Sequence, residues 1–338
     1  MDCIDEVIEV FRKRWPDCTV MKDWRNLLGN DVSIDWKRHS ANISLRTQIE
    51  NMVESVYGSV TPPRTTIPYT SRIAQLSPMQ EPDENSPERA EFLLRRQRVR
   101  SAVGKAVHIS QWMPCIVYPV VRLAGVMASP SEEAEEECKV LAAYMHHRKN
   151  EEITIGGLHI TSLDSVAPTE TLYRDGMELP TCALAFADGS LGEASVDGKS
   201  LSGLLIMVGH FTVLAMSARQ HMVAKDSHDT EIYAASLAAT LMVSIRDQLQ
   251  EMGWIQAHPS NIFIDSASTL HVVESVNRLH RSLHLARRVF LMRMAEREGD
   301  VKFAQTPGPV NKSDPFTKAV VRATFWAARS FWYGKIVP

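Results

Sequence analysis

Apolar residues recur at helical spacing through most of the first 150 positions and at strand spacing from Glu152 onward. Ile4, Val7, Ile8 and Phe11 predict a helix over Ile4 to Trp15, and Ile49, Met52, Val53 and Val56 predict another over Ile43 to Val56. Between them Val32-Ser33-Ile34-Asp35-Trp36 alternates like an exposed strand, so residues 1–57 are expected to form a small α+β unit. Residues 58–87 are rich in Thr, Ser, Asp and Glu, and Pro62, Pro63, Pro78, Pro82 and Pro87 block regular structure, which predicts a linker. Three helices are expected over residues 88–150, interrupted near Pro114 and at Ser129-Pro130-Ser131. Ser131 followed by Glu132 and Glu133 makes a good helix start there.

Residues 151–320 read as strand Cys182 to Ala187, strand Ser202 to Val208, strand Thr212 to Met216, helix Thr230 to Met252 and strand Asn261 to Ile264. A short helix near Ser268, a helix from Leu283 to Glu298, strand Val301 to Gln305 and a helix from about Ser313 follow. Three strands followed by helix and strand in alternation predict an α/β fold, a mixed five-stranded sheet covered by helices. Residues 321–338 form an aromatic and basic tail. No internal repeat is visible.

Composition changes this picture little. The hydrophobic share is 44%, the charged share 23% and the net charge −3, so any contact with nucleic acid has to come from local basic faces. No apolar run is long enough to span a membrane. Cys3, Cys18, Cys115, Cys138 and Cys182 are scattered without a C-x-x-C pair, which argues against a disulfide framework and against zinc. The acidic N-terminus resembles neither a secretory signal nor a transit segment, and the default location is cytoplasm or nucleus.

The chemistry lies in acids at element ends. Asp188 ends the apolar run Ala185-Phe186-Ala187, and Asp265 ends Ile262-Phe263-Ile264. Each has an ordinary reading as a turn former or helix cap. Glu231 stands early in a helix, where the dipole favours an acid, and Asp314 before Pro315 fits a cap. Together they occupy two strand ends and two helix starts, which can converge at the carboxyl edge of one sheet. Several carboxylates in a small space are what hard divalent cations require.

These residues also sit in ordered blocks. Phe186-Ala187-Asp188-Gly189-Ser190 and the later Ser200-Leu201-Ser202-Gly203, then Thr230-Glu231-Ile232-Tyr233, Phe263-Ile264-Asp265-Ser266, Leu283-His284-Leu285-Ala286-Arg287-Arg288 and Asn311-Lys312-Ser313-Asp314-Pro315-Phe316-Thr317-Lys318 resemble the RNase H motifs of copia-type retroelement reverse transcriptases. Arg98 to Ala106, Ala134 to Tyr144 and Met21 to Gly29 are similar to that family's connection and thumb stretches. The polymerase tyrosine and paired aspartates are not in this sequence, so polymerase activity is not expected of the polypeptide. Gly189 stands where the family commonly has alanine or serine, and Ser266 where it has asparagine, departures that suggest relaxed constraint.

The resemblance implies an RNase H fold whose Asp188 bridges two Mg²⁺ ions, with Mn²⁺ as an alternative, and whose Glu231, Asp265 and Asp314 complete their shells. The substrate it implies is the RNA strand of an RNA–DNA hybrid, hydrolysed by in-line attack. Lys199, Arg219, His284, Arg287 and Arg288 are the candidate nucleic-acid contacts, and for each a surface or packing role competes. The basic stretch Arg89, Arg95, Arg96, Arg98 and Arg100 reads first as a solvated face. The alternative function is a captured retroelement fragment serving a large ribonucleoprotein such as a ribosome, with the aromatic tail as its anchor.

Overall fold

Residues 13, 25–35, 37, 40–156, 171–174, 177–180, 183–192, 198–209, 211–251, 256, 258–275 and 285–333 are described in this computed structural model. The expected helix over Ile4 to Trp15 lies outside them, apart from Lys13, as does His284. Strands β1 (Asn26–Leu27), β2 (Asn30–Asp35) and β3 (Ser40–Ser44) form an antiparallel meander. Strand β4 (Glu152–Gly156) joins it beside β3, with Ser44 opposite Glu152. Ile43, expected to open a helix, is a buried strand residue instead, and helix α1 starts at Arg46 and runs to Tyr57. A single isoleucine fits either period, and β2 and β4 on its two flanks decide the matter.

The expected linker is a packed strap. Tyr69, Ile73 and Leu76 are buried, and Ser71–Gln75 form a turn of 3-10 helix. Side chains hold it where regular hydrogen bonding is absent: Arg122 donates to the carbonyls of Ile73, Ala74 and Leu76 at 3.2, 2.9 and 3.2 Å. Buried Glu137 accepts from Thr70 N at 3.0 Å and also from the Thr70 hydroxyl. The strap lies on helices α2 (Arg89–Ser110), α3 (Val117–Val126) and α4 (Glu132–His146), the last capped by the Ser131 hydroxyl as expected. The basic stretch on α2 is largely paired: Arg95 with Glu132, Arg96 with Glu81, and Arg98 with Glu91 and Glu135. Arg95 is buried within its pairs, contrary to a solvated face, whereas Arg98 and Arg100 are exposed as that reading expects.

Strands β5 (Thr171–Arg174) and β6 (Met177–Pro180) pair separately. The main sheet contains β7 (Ala183–Ser190), β8 (Leu201–Val208), β9 (Phe211–Arg219), β10 (Ser260–Ile264) and β11 (Val301–Gln305), in the order β11-β10-β7-β8-β9. β7, β8 and β9 run antiparallel in succession, whereas β10 is parallel to both β7 and β11. This is the mixed five-stranded sheet that the patterning predicts.

Alternate residues of β7 and β8 feed two cores. Ala183, Ala185, Ala187, Leu204 and Ile206 pack beneath helices α5 (Ser227–Glu251), α6 (Ala267–Glu274) and α7 (Ala286–Arg297). Leu184, Phe186, Leu205 and Met207 pack with Phe263 against the α2–α4 layer and against helix α8 (Arg322–Trp332). The helix expected from about Ser313 is only a 3-10 turn at Asp314–Phe316, and regular helix begins at Arg322. The intervening loop is held by side chains that reach the sheet, as described below.

The aromatic tail belongs to the core. Phe325 and Trp332 are buried, Trp332 stacks on Phe316 with ring centroids 4.7 Å apart, and its Nε1 donates to the Lys312 carbonyl at 3.0 Å. Arg329 donates to the Tyr144 hydroxyl at 3.1 Å and pairs with Glu151, tying α8 to the helical layer. Phe325 and Trp332, committed to the interior in this way, are not available as an external anchor. Among the described residues no helix is long and apolar enough to cross a membrane, and Cys115 and Cys138 are free and buried.

Candidate metal centre

Strand register brings the first two acids together. Phe186 on β7 is level with Phe263 on β10, and their rings stack at 5.0 Å. Asp188 and Asp265 each lie two residues further on, so in parallel neighbours they reach the same level on the same side. Asp188 is 3% exposed, deep for an acid, and it sits opposite Gly203 in the β7–β8 pair. The third acid comes from the loop after β11. Asn311 Nδ2 donates to the Ala187 carbonyl at 3.1 Å while its Oδ1 accepts from Ser313, which fastens this loop beside Asp188 and presents Asp314. Carboxylate oxygens of Asp188, Asp265 and Asp314 all lie within 4.8 Å of one another.

Glu231 arrives from α5. The helix lies close enough on β7 that a Cβ on Gly189 would meet the Thr230 carbonyl carbon and oxygen at 2.4 Å. The Thr230 hydroxyl donates to the Gly189 carbonyl at 3.0 Å, and the Gly189 backbone in turn hydrogen-bonds the Glu231 carboxylate. Gly189 is therefore a requirement of this chain's helix–strand contact, and the reading of relaxed constraint there is corrected. Ser266, the other departure, is the N-cap of α6 and accepts from Thr269 N at 3.3 Å.

Burial and mutual repulsion mark these acids. Burial, reinforced by the charges of Asp188 and Asp265, pushes Glu231 up to about 9. Burial and Asp188 raise Asp314 to about 6, and the same two causes raise Asp265. One oxygen of Glu231, Oε2, and one of Asp314, Oδ1, are buried with no hydrogen-bond partner. Buried carboxylate oxygens are ordinarily satisfied, so this donor set fits a cation.

Two residues of the site were missed as such, although they fall in the closing sequence block. Thr317 donates its hydroxyl to Asp188. Lys318 Nζ lies 2.9 Å from Asp314 Oδ2; burial works against its charge, yet Asp188, Asp314 and Asp265 lift its pKa above the usual lysine value. A hydroxyl and an ammonium carry no distinctive pattern outside such a block.

The proposed nucleic-acid contacts are scattered. Lys199 is half-buried near the neck of the β7–β8 hairpin, and Arg219 is exposed at the end of β9, opposite Leu201. Arg287 is exposed on α7. Arg288 is engaged in packing, with its guanidinium 3.8 Å from the Tyr233 ring centroid and Nη1 donating to Ser236 Oγ at 3.1 Å.

Folded pKa values raised above those of the unfolded chain set the sign of the pH dependence. The stability these acids contribute is present below about pH 4 and is lost as pH rises through the values of Asp314 and Glu231. In chelator, the melting temperature is expected to fall between about pH 5 and pH 9, and Glu231→Gln is expected to flatten the upper part of that fall. Scanning fluorimetry across this range checks it; a wild-type profile indistinguishable from Glu231→Gln would refute the burial of a repelled carboxylate.

No family model matches the chain. Over 226 residues it is 22% identical to the retrovirus-related Pol polyprotein from transposon RE1 of Arabidopsis thaliana. The chain shows weak homology to a copia-type retrotransposon Pol polyprotein. The match covers 67% of the chain and 14% of the polyprotein, so the chain corresponds to a small part of that relative. Among solved structures it is similar to LC11-RNase H1 in complex with an RNA/DNA hybrid, at 14% identity and a TM-score of 0.32, covering 40% of this chain and 93% of that one. The N-terminal RNase H domain of rv2228c from Mycobacterium tuberculosis is 11% identical with a TM-score of 0.31, covering 44% and 96%. RNase H1 of Halobacterium salinarum is 14% identical with a TM-score of 0.28, covering 39% and 89%. Strand order and direction define the fold without these likenesses.

Proposed function

We propose that the chain is an RNase H-type endonuclease that cleaves the RNA strand of RNA–DNA hybrids, using two divalent ions, Mg²⁺ or Mn²⁺, held by Asp188, Glu231, Asp265 and Asp314. The observation that carries this reading is the pair of buried, unpartnered carboxylate oxygens on Glu231 and Asp314, beside three aspartate side chains whose oxygens lie within 4.8 Å of one another. Left alone, such a cluster is repelled and desolvated; a hard cation with oxygen ligands offsets both costs. Bound there, divalent ions supply charge for the phosphate oxygens and a water of lowered pKa.

The chain's own groups do the rest. Thr317 fixes the rotamer of Asp188, the residue the ions would share. Asn311 holds the loop that presents Asp314, and the Gly189 backbone orients Glu231. Lys318 offsets part of the negative charge before substrate arrives. Recognition of RNA would rest on 2′-hydroxyl contacts across the wide minor groove, with basic side chains on the backbones.

A labelled RNA–DNA hybrid incubated with the full chain and Mg²⁺ is expected to yield cut RNA and intact DNA. Chelator should abolish cleavage, and duplex DNA should remain whole. No cleavage in Mg²⁺ or Mn²⁺ by protein shown to be folded would refute the nuclease reading.

A further inference from the structure

A cavity of about 330 Å³ opens where the helical layer meets the edge of the main sheet, lined by Tyr118 and Arg122 of α3, by Ser190, Lys199 and Leu201 around the β7–β8 neck, and by Lys318. Among the described residues its lining holds Arg122, Lys199 and Lys318, the last paired with Asp314, and no aspartate or glutamate. That is an uneven sampling of a chain with 37 basic and 40 acidic residues. Arg219 lies near enough to Arg122 to repel it. The cavity also adjoins the carboxylates: the Ser190 hydroxyl donates to the Thr317 carbonyl at 3.2 Å, and the Thr317 hydroxyl donates to Asp188.

The cations are placed by the fold. Arg122 Nε and Nη2 donate to three carbonyls of the strap, which sets the plane of the guanidinium beside the cavity. Tyr118 is buried, and its hydroxyl hydrogen-bonds the Ala319 backbone on the opposite wall. A Cβ on Gly192 would meet the Lys199 carbonyl oxygen at 2.5 Å, so the hairpin neck is closed tightly and the Lys199 backbone is fixed against it. Burial and the neighbouring Arg219 lower the pKa of Arg122, a cost that an anion in the cavity would relieve.

We infer that this cavity is a phosphate subsite, built jointly by Arg122 of the helical layer and Lys199 of the sheet, which takes a backbone phosphodiester of the strand lying over the carboxylates. The inference rests on the nuclease reading for its ligand, and it gives the helical layer a direct part in holding substrate. Lysine contacts to phosphate act through charge and counterion release, so they appear in the salt dependence of binding. A free phosphate ion has the same chemistry and is the competing source.

The test reads binding without cleavage. Fluorescence anisotropy of a labelled RNA–DNA hybrid with the full chain is recorded in chelator at several salt concentrations. Wild type is compared with Lys199→Ala, Lys199→Glu and, as an exposed control on β11, Lys302→Ala. Lys199→Ala is expected to weaken binding roughly fivefold and to reduce the slope of log K against log salt by about one, the signature of one lost phosphate contact. Lys199→Glu should weaken it further and Lys302→Ala should match wild type, with circular dichroism melts confirming that all fold. Affinity and slope unchanged in Lys199→Ala would overturn the subsite. So would Lys199-dependent binding of inorganic phosphate by calorimetry when the hybrid shows none. A wild type that binds in this manner but never cleaves sinks the nuclease reading alone; cleavage with Lys199-independent binding sinks the subsite alone.

Discussion

Replacing Asp188 with asparagine is expected to lower Mg²⁺-dependent cleavage of an RNA–DNA hybrid by roughly three orders of magnitude, the several kcal/mol of charge stabilisation that a misheld ion forfeits. The protein should remain at least as heat-stable as wild type in chelator. Both expectations follow from where Asp188 lies. Its charge is among the causes that raise the pKa of Glu231, Asp265 and Asp314 alike, whereas Asp265 adds to the repulsion only at Glu231 and Asp314. An asparagine keeps an oxygen that can accept from Thr317 and fits the same space opposite Gly203. It removes the charge and exchanges one acceptor oxygen for an NH2 donor. Single-turnover cleavage and a melting curve in chelator provide the two readouts. Activity within tenfold of wild type would show that the carboxylate cluster is not the reaction centre. A melting temperature several degrees lower would show that repulsion is not what the charge contributes.

Among the described glycines, Gly189→Ala should be the most damaging alanine substitution. The added methyl would lie 2.4 Å from the Thr230 carbonyl carbon and oxygen and 2.8 Å from the Glu231 amide nitrogen, all of them backbone atoms that no rotamer change can move. α5 has to lift off β7, where Ala234, Ala235, Ala238 and Ala239 are buried against the sheet. Overpacking of this kind costs about 3 kcal/mol. Because the shift occurs at Thr230 and Glu231, the glutamate is carried away from Asp188, and a displacement of order 1 Å lowers the rate by roughly a hundredfold. Denaturant melts and cleavage rates of the folded fraction check the two effects separately. A variant with wild-type stability and rate would mean that the helix is not seated as closely as described.

These two residues also mark what the sequence did and did not disclose. Asp188 and Asp265 stood out because each ends a short apolar run, and the alternation that defines those strands is local information. Their meeting depends on the pairing of Phe186 with Phe263 across 77 positions, which no window on the chain contains. The need for Gly189 is not legible locally, because its cause is a helix some forty residues away; comparison with alanine-bearing relatives shows a difference without showing the contact behind it. The prolines predict a linker at the strap for a similar reason, since Arg122 and Glu137 hold it from distant helices. Periodicity likewise extended the last helix back to Ser313, where the bonds of Asn311 and Thr317 to β7 keep the chain in a loop. Arg288, grouped with the phosphate contacts by its sequence block, proves to be a wedge between α5 and α7.

The division of side chains between the two faces of the main sheet bears on how this molecule can be dissected. One face is roofed by helices that follow or interrupt the strands, but Leu184, Phe186, Leu205, Met207 and Phe263 are roofed largely by α2–α4, encoded before the first strand of that sheet. A fragment cut to begin at β7 would present those side chains to water as one contiguous oily surface, of the kind that makes excised pieces stick to one another. Excised in that way, the sheet and its acids are expected to aggregate. Its acids and the helices upstream form an inseparable unit, and any shortened version must bring the upstream helices with it or replace their apolar roof.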